Sequence, residues 1–265
     1  MTIENNGTSR GRVKELEEIN ASLLSRLETV VEELRIKDDI LIQQSRLYAM
    51  SELIGVFAHQ WRQPLNNIGL IVQELHIAYK AGDLSVDDFG RDVAETMKII
   101  KNISDNIEDF SNFFRYEEKT CRFVINELFS RLFSFVNLSL KKNGIRIMVE
   151  EESEVTAEGR PNEYAQALFN VIFYLRDMLL EREPMQPMIS IRIFSENGRS
   201  VVTLRDNGGG IEDDILPNIF DLYSATGKPG MAPGLFMAKT IIEKKMHGSL
   251  SAYNVEGGSE FRIEI

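Results

Sequence analysis

From Val13 onward an apolar residue returns at alternating steps of three and four: Val13, Leu16, then Asn20 in an apolar slot, Leu23, Leu27, Val30 and Leu34. That spacing is a heptad seam. The other faces carry Glu15, Glu17, Glu18, Arg26, Glu28, Glu32, Glu33 and Arg35. A lone Asn in such a seam suits a parallel two-stranded coil, where it sets the register and lowers stability. The alternative is a single amphipathic helix packed on its own domain. No apolar partner segment lies nearby in the sequence, which favours the coil. Residues 1–12 are polar and predict a frayed, flexible start.

No helix breaker lies between Val13 and Gly55, so the pattern predicts one helix running past Ser45 and Tyr48 to His59 and beyond. Apolar residues then thicken: Leu53, Ile54, Val56, Phe57, Trp61, Leu65, Ile68, Leu70, Ile71, Val72 and Leu75. That face is wider than a two-stranded seam needs and predicts four helices packing together. Residues 80–85 read as a turn. A second helix is predicted over 86–116, with Val93, Met97, Ile100, Ile103, Ile107, Phe110 and Phe114 at helical spacing. Two such hairpins, one from each of two chains, make a four-helix bundle. Phe57, Trp61, Phe113 and Phe114 are its expected core.

The pattern changes near Glu117. Strands are predicted over 122–125, 145–149, 189–194, 200–204 and 260–265, and helices over 127–143, 163–182 and 235–246. Asn197-Gly198 and Gly257-Gly258 read as hairpin turns. The fold class is therefore α+β and multidomain, ending in an α/β two-layer sandwich with a mixed sheet. The segments are a flexible N-terminus (1–12), a coiled-coil helix (13–47), a helical hairpin (48–117) and an α/β domain (118–265).

Composition narrows the function. The 265 residues carry 30 Lys and Arg against 41 Asp and Glu, a net charge of −11. That balance argues against a nucleic-acid partner and against a basic membrane-surface helix. A hydrophobic share of 43% supports a folded core. No apolar run is long enough to span a bilayer. The one cysteine, Cys121, in the connection between hairpin and α/β domain, excludes an internal disulfide and a cysteine zinc site. Together with the lack of a basic-then-apolar start, this makes the cytoplasm the expected compartment. His76 and His247 read as surface residues.

Two constellations carry chemistry. In Ala58-His59-Gln60-Trp61-Arg62-Gln63-Pro64-Leu65, a proline lies inside a helix five residues after a histidine. Pro64 lacks an N–H and crowds the carbonyl of Gln60, so a bend is expected there. A bend of that kind tilts the His59 imidazole toward solvent, where a free nitrogen is a good nucleophile toward phosphorus. By spacing alone, a bundle histidine beside an incidental kink is the favoured reading of His59. The second constellation is Arg205-Asp206-Asn207-Gly208-Gly209-Gly210-Ile211, directly after a strand. Its glycines permit close backbone approach to a ligand, and Asp206 is an acceptor suited to an exocyclic amine. Glycine-rich turns after strands are common, so this motif is weak by itself.

Taken together, the motifs resemble those of two-component sensor histidine kinases. His59-x-x-x-Gln63-Pro64-Leu65 is similar to the phosphoacceptor box, and Asp206 to Ile211 to the first glycine box of the ATP-binding domain. Asp109-Phe110-Ser111-Asn112-Phe113-Phe114-Arg115 and Phe123-Val124-Ile125-Asn126-Glu127-Leu128 look like the join between bundle and ATP domain. Pro217-Asn218-Ile219-Phe220-Asp221-Leu222-Tyr223 is similar to the phenylalanine box, and residues 238–250 match the family's end. The resemblance spans about residues 45–265, with motifs in the family's order.

The resemblance implies a homodimer and an ATP domain of the type shared with gyrase and the Hsp90 chaperone. It implies a γ-phosphoryl group passing from ATP to His59 and then to a response-regulator aspartate. Asp206 is implied to hold the adenine amine, and Gly208 and Gly210 to give the nucleotide room. Asn170, Lys228, Gly230, Gly234 and Leu235 are implied to face the phosphates. Catalysis of this kind is positioning plus charge neutralisation. An upstream sensor protein acting through the coil is a further implied partner.

The departures cluster on phosphate and metal handling. The metal-binding helix of the family carries two asparagines four apart; here Asn170 fills the first place and Tyr174 stands at the second. Magnesium wants compact oxygen ligands, and a neutral phenol is a poor, bulky substitute. In Gly230-Met231-Ala232-Pro233-Gly234-Leu235, Ala232 takes a glycine position and Pro233 deletes a backbone N–H from the lid. Pro233 is also readable as a helix start. Gln60 replaces a common acid and cannot act as a base, although Gln60 or Gln63 can orient the ring or a water by hydrogen bonds. The expected activity is a histidine kinase core using ATP and Mg²⁺ weakly or conditionally. The alternative is a degenerate kinase acting as phosphoacceptor, regulator phosphatase or signalling scaffold.

Overall fold

The computed structural model describes residues 5–113, 115, 119–152, 154–222 and 231–265. The chain divides into two compact units, 1–44 and 45–265. In the first unit, helix α1 (Asn5–Ala81) begins at Asn5 and takes in a stretch that its polar sequence predicted as frayed. Its seam residues Leu16, Leu23, Leu27, Val30 and Leu34 are all exposed in the single chain.

Within the second unit α1 continues to Ala81, and α2 (Val86–Phe113) follows. The turn between them closes through Gly82, whose N–H donates to the Tyr79 carbonyl oxygen at 3.2 Å. Gly82 has φ +76°, a left-handed value that glycine takes without strain. Ser85 opens α2 as an N-cap, accepting from the Asp88 N–H at 3.1 Å. The predicted end of α2, with Phe114 and Tyr116, lies outside the described residues, as does the side chain of Phe113. Pro64 sits inside α1, which is continuous through it.

Phe57 is buried, but not within the hairpin alone. Its ring meets Trp61 at 5.5 Å, Phe110 of α2 at 4.9 Å and Phe135 of the α/β domain at 5.4 Å. The expected bundle core is therefore shared with the next domain. Asn162 adds a polar tie, donating to the carbonyl oxygens of Asn112 and Arg115, both at 2.9 Å.

The α/β domain runs β1 (Cys121–Val124), α3 (Ile125–Lys142), β2 (Arg146–Glu151), β3 (Thr156–Gly159), α4 (Pro161–Arg182), β4 (Met188–Glu196), β5 (Arg199–Asp206), α5 (Met231–Lys239), β6 (Ser249–Val255) and β7 (Gly258–Glu264). The five-stranded sheet has the order β2-β4-β5-β7-β6. β2 pairs parallel with β4 and the other pairs are antiparallel. The mixed sheet predicted from the alternating runs is thus present. β1 and β3 form a separate antiparallel pair.

Period-two burial sets the packed face: Ile189, Ile191 and Ile193 are buried while Ser190 and Arg192 between them are not. Leu168, Ile172, Leu175 and Leu179 of α4 are fully buried, as are Leu128, Leu132 and Val136 of α3. Burying each such side chain contributes about 2 kcal/mol. Asn197 (φ +52°) and Gly198 (φ +78°) turn β4 into β5 as predicted. β3 and β6 were not legible as apolar runs; Thr156-Ala157-Glu158-Gly159 becomes a strand through its register with β1. The predicted final helix is split, with a wide π-turn over Thr240–Lys245 following α5. Among the described residues no helix is long and apolar enough to cross a membrane.

Candidate functional site

Helix α4 carries Asn170 and Tyr174. Pro161 occupies its first turn, where no intrahelical N–H is needed. Glu183, with φ +47°, ends it by donating its N–H to the Leu179 carbonyl oxygen. Asn170 and Tyr174 lie one turn apart on this helix. Both are buried, at 6% and 4% exposure.

Asn170 Nδ2 donates to Ser45 Oγ of α1 at 3.1 Å, across 125 residues of sequence. Tyr174 presents its ring to Phe261 of β7 at 5.4 Å, edge to face. Burial pushes the Tyr174 phenol up to about 12; Arg182 opposes the shift, while the charges of Asp206 and Glu181 add to it. The phenol therefore stays protonated at neutral pH. A neutral, buried phenol is a poor magnesium ligand, and of this pair it leaves the amide oxygen of Asn170 as the compact donor, its Nδ2 being the atom bonded to Ser45. Among the described residues no cluster of three His, Cys, Asp or Glu stands ready to hold a metal.

The space beside these residues is small. A pocket of about 20 Å³ is lined by Tyr48, Phe169, Asn170, Phe173, Tyr174, Asp177 and Gly234. That volume holds about one water molecule. Phe169 and Phe173 stack at 3.9 Å, and the Arg176 guanidinium covers Phe173 at 4.0 Å. A larger cleft of about 270 Å³, at the joint of α2 and α3, holds none of the predicted site residues.

Asp206 ends β5 and is 4% exposed. Its Oδ1 accepts from the Gly208 N–H at 2.6 Å. Its Oδ2 accepts from the Ser259 N–H at 3.0 Å and from the Ser259 hydroxyl. Most of its accepting capacity is thus engaged by the protein. A Cβ at Gly258 would collide with the Asp206 carbonyl oxygen, so this glycine serves the close approach of β7 to β5.

The glycine box is pinned from two sides. Arg182 Nη1 donates to the carbonyl oxygens of Gly208, at 3.0 Å, and Gly210. Asn254 exchanges two hydrogen bonds with the Ile211 backbone, both at 2.7 Å. Gly209 and Gly210 have φ of +95° and +82°. The glycines are required by this loop conformation whether or not a ligand is bound.

The structure brings Asn170, Tyr174, Gly234 and Leu235 together, and separately Asp206, Gly208 and Gly210. Leu235 is buried and Gly234 backs onto Asn170, a Cβ there reaching 3.8 Å from the Asn170 Cβ. Pro233 falls in the first turn of α5, which agrees with its reading as a helix start. In the phenylalanine box, Phe220 meets Phe261 at 6.1 Å and lies under the Lys239 ammonium at 4.6 Å. On α1, Gln60 is half-buried and Gln63 exposed. The His59 backbone is helical, and its side chain lies outside the described residues. Lys228, Gly230 and Tyr223 also lie outside them. His76 and His247 are exposed, as expected.

Sequence reading missed Ser45, Tyr48, Arg182, Asn254 and Ser259. None belongs to a motif, and each matters through a contact made across the fold.

Tyr174 sets a pH dependence. Its folded value lies above the ordinary tyrosine value of 10, so between pH 10 and about 12 the native state keeps a proton that the unfolded chain releases. This contribution to stability is complete below pH 10 and is lost as pH rises through that window. Burial raises Tyr164 in the same direction. Urea denaturation at about pH 9 and about pH 11 is expected to show a smaller fall in stability for Tyr174→Phe than for the parent. An equal fall would mean that the phenol is not buried.

Residues 163–265 match the family model described as histidine kinase-, DNA gyrase B- and HSP90-like ATPase. The sensor protein KdpD of Clostridium acetobutylicum is 25% identical over 240 residues, covering 86% of this chain and 26% of that protein. Sporulation kinase B of Bacillus subtilis is 25% identical, covering 85% of this chain and 51% of its own length. Sensor protein TdiS of Thauera aromatica is 23% identical, covering 97% and 44%. The chain thus spans a quarter to a half of the length of these curated relatives. Among solved structures, the catalytic domain of histidine kinase ThkA aligns with a TM-score of 0.49 at 24% identity, covering 56% of this chain and 95% of that domain.

Proposed function

We propose that this chain, a two-component sensor histidine kinase by family, works as a phosphoacceptor core whose own use of Mg²⁺-ATP is restrained. His59 is the nucleophile: a ring nitrogen attacks phosphorus, an N–P bond forms and the donor's oxygen leaves. A carboxylate oxygen of a response regulator then takes the group, and the N–P bond breaks. Gln60 and Gln63 flank the ring on the same helix and can orient it or a water, but neither can take its proton.

The observation that carries the restraint is Tyr174. It is buried at the place where the family's second metal-ligating asparagine belongs, and it stays a neutral phenol. Phosphoryl transfer depends on charge neutralisation, and this face supplies little of it. Exposed apolar residues on the hairpin, among them Leu65, Leu70, Val72, Ile77, Val93 and Met97, support a second copy as partner. Within this reading, 13–47 is the coiled coil that delivers the input and 48–117 the phosphoacceptor hairpin.

Incubation with labelled ATP and Mg²⁺ tests the proposal. The parent is expected to label slowly. Tyr174→Asn restores a compact oxygen ligand and is expected to raise Mg²⁺-dependent labelling about tenfold. Rapid labelling of the parent, or no change in the variant, sinks the metal argument.

A further inference from the structure

We propose that the cleft at the joint of α2 and α3 binds a small organic anion, one with a carboxylate or phosphate head on an apolar body. Neither Asn170 nor Asp206 lines it, and the inference does not rest on the phosphoacceptor reading.

The site is built from two helix faces. On α3, Leu128, Arg131 and Phe135 recur at steps of three and four, so one face of the helix carries all of them into the cleft. On α2, Asp109 and Asn112 share a face three residues apart. Arg115 enters from the connection after α2. Asn162 of α4 fixes the rim, because its amide donates to the carbonyl oxygens of Asn112 and Arg115. The cleft holds about 270 Å³, close to the lower end for ligand pockets, about 300 Å³.

The lining selects the ligand. Two guanidinium groups, of Arg115 and Arg131, meet a single carboxylate, that of Asp109. Among the described residues neither guanidinium has an ion pair or a hydrogen bond. Acidic residues outnumber basic ones in this chain, 41 to 30, yet these two cations stand unpaired in one concavity. A bound anion completes the arrangement, since a planar guanidinium matches a carboxylate or phosphate with two parallel hydrogen bonds. Asp109 opposes a second anionic group, so one head is expected. The floor is apolar: Leu128 and Phe135 are 1% and 6% exposed, and Phe57 holds the Phe135 ring at 5.4 Å. Such a floor calls for an apolar body behind the head.

Calorimetry on the whole chain tests the site with four probes: phenyl phosphate, benzoate, inorganic phosphate and benzyl alcohol. Phenyl phosphate or benzoate is expected to bind, and the tighter of the two assigns the head. Inorganic phosphate lacks the body and benzyl alcohol lacks the charge, and each is expected to bind at least about tenfold more weakly. Arg115→Ala and Arg131→Ala are each expected to weaken binding about tenfold or more. Arg131→Lys is expected to fall between, because an ammonium keeps the charge and loses the fork. Arg91→Ala, at an ion-paired arginine elsewhere on α2, is expected to bind as the parent does. The three arginines are exposed, and circular dichroism checks that each variant folds. No heat from either aromatic anion overturns the proposal. So does binding that persists in both alanine variants, which places the anion elsewhere. Benzyl alcohol or inorganic phosphate binding as tightly as the aromatic anions overturns the ligand class.

Discussion

His59→Ala is expected to reduce acid-labile phosphoryl label to background, a fall of about a hundredfold or more, whatever the donor. Alanine offers no lone pair, and the amides of Gln60 and Gln63 are not nucleophiles at neutral pH. The measurement gives the purified chain labelled ATP with Mg²⁺, and in a second reaction a phosphorylated receiver domain. The second reaction matters because it bypasses Tyr174. Label from the receiver that disappears in His59→Ala supports an acceptor independent of the chain's own kinase activity. Label that survives the substitution assigns the nucleophile elsewhere and ends the relay reading.

Asp206→Ala is expected to destabilise the α/β domain by about 3–5 kcal/mol, lowering the melting temperature by about 10 °C. The carboxylate is buried and accepts from Gly208, the Ser259 N–H and the Ser259 hydroxyl. Removing it strands these donors at the junction of β5, β7 and the glycine box. Thermal unfolding without nucleotide is the deciding measurement, because an acid serving only adenine would be dispensable there. A loss below about 1 kcal/mol would assign Asp206 to ligand binding alone.

How legible the site was depended on how each residue acts. The spacing of Pro64 after His59 is a local pattern, but spacing alone left His59 readable as a bundle histidine, and only the resemblance to an acceptor box carried the role expected of it. Asp206 was readable as the acid after a strand, and Tyr174 as a misfit, because one turn of α4 sets the distance to Asn170. The engagement of Asp206 by Ser259 was not readable, since 53 residues separate them. Nor was the link between Asn170 and Ser45, separated by 125. Phe57 was correctly read as buried, but its neighbour Phe135 comes from another domain.

By itself the sequence determined the helices, most strands, the mixed α/β class and the chemical identity of each candidate group. Those follow from periodicity and from functional groups, which are properties of neighbours in the chain. Only the tertiary structure decided which groups are already satisfied. It assigned the Asn170 amide nitrogen to Ser45, Asp206 to Ser259 and Gly208, and the glycine carbonyls to Arg182. A hydrogen bond forms where two segments meet in space, and burial then determines whether a side chain can still bind a ligand.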